Sequence, residues 1–88
     1  MGAPATFSPI QVGRLVTDEQ RRVVESALAL LGATRADWAA SHGLDRTELS
    51  KMLNGHMVTR QGYVTALNQL VRATHPVAVG RRQREVAR

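Results

Sequence analysis

The sequence contains no cysteine, so neither a disulfide framework nor a thiolate metal site can be built from it. It contains only one Phe, one Trp and one Tyr. A core must then be made largely from Ala, Val, Leu and Met, which fill helix–helix interfaces and suit a pleated sheet less well. No apolar run approaches the roughly 18 residues that a membrane-spanning helix requires. The opening stretch MGAPATFSPIQVGRLV lacks the charged start and long apolar centre of a secretory signal. The expectation is a cytoplasmic protein with no membrane partner. His42, His56 and His75 are scattered and lack cysteine partners, and no acid is spaced to orient a Ser–His pair. No metal site, cofactor or enzymatic activity is therefore expected.

What is present suits one small folded domain. The chain has 88 residues, 43% of them hydrophobic. A domain of this size buries only about 60–65% of its unfolded surface, so the core must be thin. The formal net charge is +5, and of the 12 basic residues all but Lys51 are Arg. A basic balance favours a polyanionic partner only weakly. Residues 1–34 are balanced at three bases against three acids, residues 35–60 carry four against three, and residues 61–88 five against one. The excess thus lies near the C-terminus, chiefly at Arg81, Arg82, Arg84 and Arg88, and does not single out the middle of the chain.

Helix start and stop signals divide the chain. Residues 1–7 are small and polar and read as a disordered lead. Ser8-Pro9-Ile10-Gln11 has the form of a short capping box, and either a brief helix over Pro9–Leu15 or an extended arm fits it. Residues 1–16 are accordingly an N-terminal arm. Thr17 and Gln20 form a capping box for a first helix, with Asp18 and Glu19 at its positive end. Val23, Val24, Ala27, Leu28, Leu30 and Leu31 make a wide apolar face, and Gly32 closes the helix. Thr34 can cap a second, two-turn helix that ends at Gly43. Asp45 can cap a third, with Glu48 reaching back to the Asp45 amide, an apolar stripe at Leu49, Met52 and Leu53, and a stop at Asn54-Gly55. A fourth helix runs from about Arg60 or Gly62 to Ala73, with Tyr63, Val64, Leu67, Leu70 and Val71 inward, and His75-Pro76 ends it. These elements make a domain over residues 17–75, followed by a basic tail over 76–88 that is loose or forms a short fifth helix. The fold class is all-α, a bundle of four to five helices, with no internal repeat and no strand pattern.

The link Gly43-Leu44-Asp45 is too tight for the second and third helices to lie antiparallel side by side, so they must cross steeply. Gly43 supplies the positive φ such a turn needs, Ala39 allows close approach, and Leu44 can plug the gap. With these residues in hand, Thr34–Gly55, TRADWAASHGLDRTELSKMLNG, resembles the helix-turn-helix of the lambda repressor and Cro family, also called the xenobiotic-response-element type. The flanking helices extend the resemblance to roughly Asp18–Ala73. Ala39 falls on the family's small position, Gly43 on its turn glycine, Leu44, Leu49 and Met52 on its buried positions, and Asn54-Gly55 on the dipeptide that often ends the second motif helix. His42 departs from the pattern, standing where the family usually has an apolar residue.

The resemblance implies a lambda-repressor-like bundle that binds double-stranded DNA, with the second motif helix, about residues 46–54, in the major groove. Spacing alone places Arg46, Thr47, Ser50, Lys51 and Asn54 opposite Leu49, Met52 and Leu53. Arg46 can bond guanine O6 and N7 together, Lys51 can reach guanine or a phosphate, and Thr47 can offer its hydroxyl, or its methyl to thymine. Ser50 and Asn54 are phosphate contacts by resemblance. Arg35 is placed to grip a phosphate, and His56 and Arg60 join the backbone-contacting set. Arg81, Arg82, Arg84 and Arg88 are a candidate basic arm for phosphates or the minor groove. Glu48 can read a cytosine amine, but capping is the reading adopted, and Trp38 is read as the main core aromatic rather than a stacking platform.

The function expected from this is a sequence-specific transcriptional regulator of phage, plasmid or bacterial type. It would act as a repressor or activator, bind as a homodimer and associate with the nucleoid. Two other classes fit the same residues. The near-neutral motif admits a protein-interaction adaptor or antitoxin-like partner, and the Arg tail admits a weakly specific nucleoid or DNA-end protein.

Overall fold

In a computed structural model, which describes residues 7–75, four helices form: α1 (Asp18–Leu31), α2 (Arg35–Ser41), α3 (Arg46–Leu53) and α4 (Gln61–Thr74). There is no strand among the described residues. The expected fifth helix and the basic arm at Arg81, Arg82, Arg84 and Arg88 lie outside them.

The first three helices each begin at a residue whose side chain takes up a free amide. The capping box of α1 closes in both directions. The Gln20 amide donates to Thr17 Oγ1 at 3.0 Å, and the Thr17 amide donates to Gln20 Oε1 at 2.9 Å. Thr34 Oγ1 accepts from the Asp37 amide at 3.0 Å, and Asp45 Oδ1 accepts from the amides of Thr47 and Glu48 at 2.8 and 3.0 Å. Such caps are worth about 1 kcal/mol each, which matters most for α2 and α3, too short to persist unaided. α4 begins without a side-chain cap. Gly43 takes φ 68° in the link between α2 and α3, a value an L side chain adopts only with strain.

The core is assembled from one stripe of each helix. α1 packs on α4, and α2 packs on α3. Val24, Ala27 and Leu28 meet Trp38 and Ala39, Leu49, Met52 and Leu53, and Val64, Leu67, Leu70 and Val71, all buried. Full burial of a residue such as Leu49 or Met52 contributes about 1.5–3 kcal/mol. Trp38 is the core aromatic of α2, as expected. Leu44 lies half-buried against the same core. α4 follows its expected inner face, with bounds one residue from those anticipated. His42 is exposed. Its ring covers Trp38 with centroids 4.5 Å apart, so a polar side chain is accommodated at this point because it lies over the core, not in it.

Two expectations about the core fail. Leu30 and Leu31 are not part of the inward face; they are 65% and 55% exposed. Leu30 lies about 200° around the helix from Leu28, beyond the reach of a stripe centred on Val24, Ala27 and Leu28. Leu31 ends the helix just before the left-handed Gly32. The reading of residues 1–7 as a disordered lead fails at Phe7, which is buried with Ile10 and Val16 in the main core.

Residues 7–16 are not helical, so of the two arm conformations the extended one, with a turn at Gly13, is what forms. Side chains hold it. Asn68 of α4 donates to the Ile10 carbonyl and accepts from the Ile10 amide, both at 2.9 Å, pairing that residue as a neighbouring strand would. Gln20 Nε2 donates to the Ser8 carbonyl at 2.8 Å. Gly13 and Arg14 exchange backbone hydrogen bonds of 3.0 Å with Thr59, whose hydroxyl also donates to the Gln11 carbonyl. Among the described residues, no helix is long and apolar enough to cross a membrane.

Candidate functional site

The eight residues of α3 divide by helical period. Leu49, Met52 and Leu53 face the core, and Thr47, Ser50 and Lys51 lie on the far side, continued by Asn54 at the C-cap. Glu48 is half-buried at one flank, and Arg46, seven residues before Leu53 and so on nearly the same bearing, is exposed at the first turn. The start of α2 supplies a facing wall of Thr34, Arg35 and Ala36, and His56 follows the turn at Gly55. Together these residues line one open groove of about 500 Å³. Seven of the positions anticipated from the sequence therefore meet in one place: Arg35, Arg46, Thr47, Ser50, Lys51, Asn54 and His56. Arg60 does not. It stands at the start of α4 and its Nη1 lies 3.4 Å from Glu48 Oε1.

The groove lining contains three cationic side chains and no carboxylate. The cations differ in their engagement. Among the described residues, the side chains of Arg46, Thr47, Lys51 and His56 make no hydrogen bond or ion pair with the protein. Arg35 is held on three sides. Its Nη2 donates to Glu25 of α1 and lies 3.4 Å from Asn54 Oδ1, and its Nη1 donates to Ser50 Oγ at 3.3 Å. Its side chain is only 25% exposed. Three of the expected phosphate contacts, Arg35, Ser50 and Asn54, are thus one hydrogen-bonded unit.

The N-terminus of α3 is fixed by a residue assigned only to the core on sequence grounds. The Asp45 amide donates to the Tyr63 hydroxyl at 3.1 Å, and that hydroxyl donates to Glu48 Oε1 at 2.9 Å. Glu48 therefore does not reach back to the Asp45 amide, as the spacing suggested. Tyr63 stands between them and relays the contact, because α4 delivers its hydroxyl to the gap. Burial raises the Tyr63 pKa above 10.0, donation to Glu48 raises it further, and the hydrogen bond from the Asp45 amide opposes the rise. The signal for this role was that a buried Tyr must find a partner for its polar tip. Glu25 had no signal, since it lies on a different helix from Arg35 and at no helical spacing.

Among the described residues, no cluster of three or more His, Asp or Glu gathers that would hold a metal ion. The groove brings together guanidinium, ammonium, hydroxyl and imidazole groups. No protein-family model, curated protein or solved structure matches the chain, so a functional reading rests on this geometry and on the motif residues.

Proposed function

We propose that α2 and α3 are a helix-turn-helix of the lambda repressor and Cro type, and that the protein is a sequence-specific regulator of transcription that places α3 in the major groove of double-stranded DNA. One observation carries the reading: two helices joined by a tight turn, with the residues that flank them, bring eight polar and basic side chains into a groove without a carboxylate. Arg46, Thr47 and Lys51 stand on its outer helix with their polar groups unengaged among the described residues. An α-helix fits the major groove of B-DNA, about 12 Å wide. Arg46 reads guanine through two parallel hydrogen bonds, Thr47 and Lys51 contact neighbouring positions, and the unit of Arg35, Ser50 and Asn54, with His56, grips the flanking phosphates. Arg60 touches the backbone from outside the groove, and the Arg-rich tail adds a sequence-independent term.

Three base-reading side chains recognise few base pairs. The protein therefore acts as a two-fold dimer on half-sites about 34 Å apart, one helical turn of DNA, on the nucleoid in the cytoplasm. Selection of bound duplexes from a random pool tests this. The expected product is a palindromic consensus with that half-site spacing. Retention of duplexes with no enriched sequence would move the protein to the weakly specific nucleoid or DNA-end class.

A second reading, a protein-binding adaptor, is favoured by a different surface. Leu31, Trp38, Ala66, Leu70 and Ala73, with polar Asp37, Ser41, His42 and Gln69, line a shallow groove of about 450 Å³ between α2 and α4. No binding to duplex DNA even at low salt would select the adaptor.

A further inference from the structure

We infer that Glu25 is an internal competitor for DNA phosphate at Arg35, one that weakens binding to every duplex alike; the inference rests on the DNA-binding reading above. A guanidinium has five N–H donors in one plane and no acceptor. In Arg35 three of these five donors are already engaged, Nη2 by the Glu25 carboxylate and, more distantly, Asn54, and Nη1 by Ser50. A carboxylate is the closest side-chain counterpart of a phosphate, since both offer two anionic oxygens matched to the fork. A phosphate approaching from the groove meets an Arg35 whose charge is already balanced from the side of α1.

Two features make Glu25 a competitor instead of a structural anchor. It does not line the groove, so it is placed to act on DNA through Arg35. Its side chain is 42% exposed, so releasing it to water disturbs little packing, and an ion pair this exposed adds little to stability. Ser50 and Asn54 keep Arg35 in place when Glu25 lets go.

The size of the effect follows from counterion release. Each phosphate neutralised contributes about 0.9 to the slope of log K against log salt, equivalent to nearly tenfold in affinity between about 1 M and 0.1 M salt. Glu25→Gln keeps the shape and a hydrogen-bonding oxygen but removes the charge. It is expected to tighten binding to a random duplex about five- to tenfold at about 0.1 M salt and to steepen the salt slope by about one. Because the strengthened interaction is with a phosphate, the ratio of selected to random affinity should not change.

The experiment is a fluorescence-anisotropy titration of a labelled random duplex and a labelled selected duplex across a range of NaCl. It uses the full chain as wild type, Glu25→Gln, Arg35→Ala and the double variant, with folding checked by circular dichroism. The tighter binding of Glu25→Gln should vanish in the Arg35→Ala background; where Arg35→Ala does not fold, Arg35→Lys, which keeps the charge but loses the fork, takes its place and should blunt the effect. If the wild type binds DNA and Glu25→Gln binds no tighter, or more weakly, the inference falls and the DNA-binding reading stands. Tightening that survives without the Arg35 fork also overturns it, because the effect is then only loss of a distant negative charge. If neither wild type nor Glu25→Gln binds any duplex at low salt, both fall together.

Discussion

Arg35 and Arg46 are each the first residue of a helix, and they stand on facing walls of the same groove. Arg35 is held by a carboxylate, a hydroxyl and a side-chain amide; Arg46 makes no such contact among the described residues. The difference comes from what surrounds each helix start. α1 brings Glu25 to Arg35, whereas the carboxylates nearest Arg46 in the chain are drawn elsewhere: Asp45 caps the amides of Thr47 and Glu48, and Glu48 is held by Tyr63 and Arg60. Acidic residues flank the exposed face of α3 in the sequence, yet hydrogen bonding turns both of them away from it. One arginine is thus held in place by the protein, and the other is left open.

The strongest way to undo this contrast is to remove the packing on which both arginines depend. Leu49 is fully buried beneath the outward face of α3. Leu49→Ala should lower unfolding stability by about 2–5 kcal/mol, a large share of the roughly 5–15 kcal/mol available to a domain, and urea denaturation measures it. A loss below about 1 kcal/mol would mean that α3 is not seated as described. Next in size is the contrast itself. Arg46→Ala should weaken binding to a selected duplex by about 1–3 kcal/mol and relax one base position, with stability changed by less than about 0.5 kcal/mol. Arg35→Ala should do the reverse, costing about 1 kcal/mol of stability through the lost hydrogen bonds and weakening all duplexes equally. Equal effects on selected and random DNA from Arg46→Ala would erase the distinction.

A further effect concerns how the start of α3 is held. Tyr63→Phe leaves the Asp45 amide and Glu48 without their shared partner and should cost about 1–2 kcal/mol. The sign of its pH dependence follows from the raised pKa. The folded state holds the phenol protonated above the unfolded value of 10.0, so this contribution is complete below pH 10 and is lost as pH rises through the folded-state value. The phenylalanine variant should lack that alkaline loss in a series of thermal melts. An identical alkaline fall in both proteins would assign it to other groups.

Much of the architecture was legible from spacing within single segments. Thr17 with Gln20, Thr34 with Asp37, and Asp45 with Thr47 and Glu48 each lie within one turn, where helix geometry alone decides the contact. The division of α3 into Leu49, Met52 and Leu53 against Thr47, Ser50 and Lys51 follows from the same period, whereas Arg46, one heptad before Leu53, is exposed because it stands at the very start of the helix. The period overreaches at Leu30, because a wide apolar face does not say how much of itself a neighbour will cover. Phe7 is illegible for the opposite reason, since nothing nearby in the chain signals that it packs into the core.

Local residue order was enough to set the helices, their caps and the outward group on α3, because contacts three or four residues apart depend only on the rise and turn of a helix. Folding in three dimensions alone brought Asn68 to Ile10, Tyr63 to Asp45 and Glu25 to Arg35. Those pairs join segments whose relative placement comes from packing of the whole core, and no repeat distance along the chain encodes it. Which charges remain open to a partner is therefore a property of the assembled molecule.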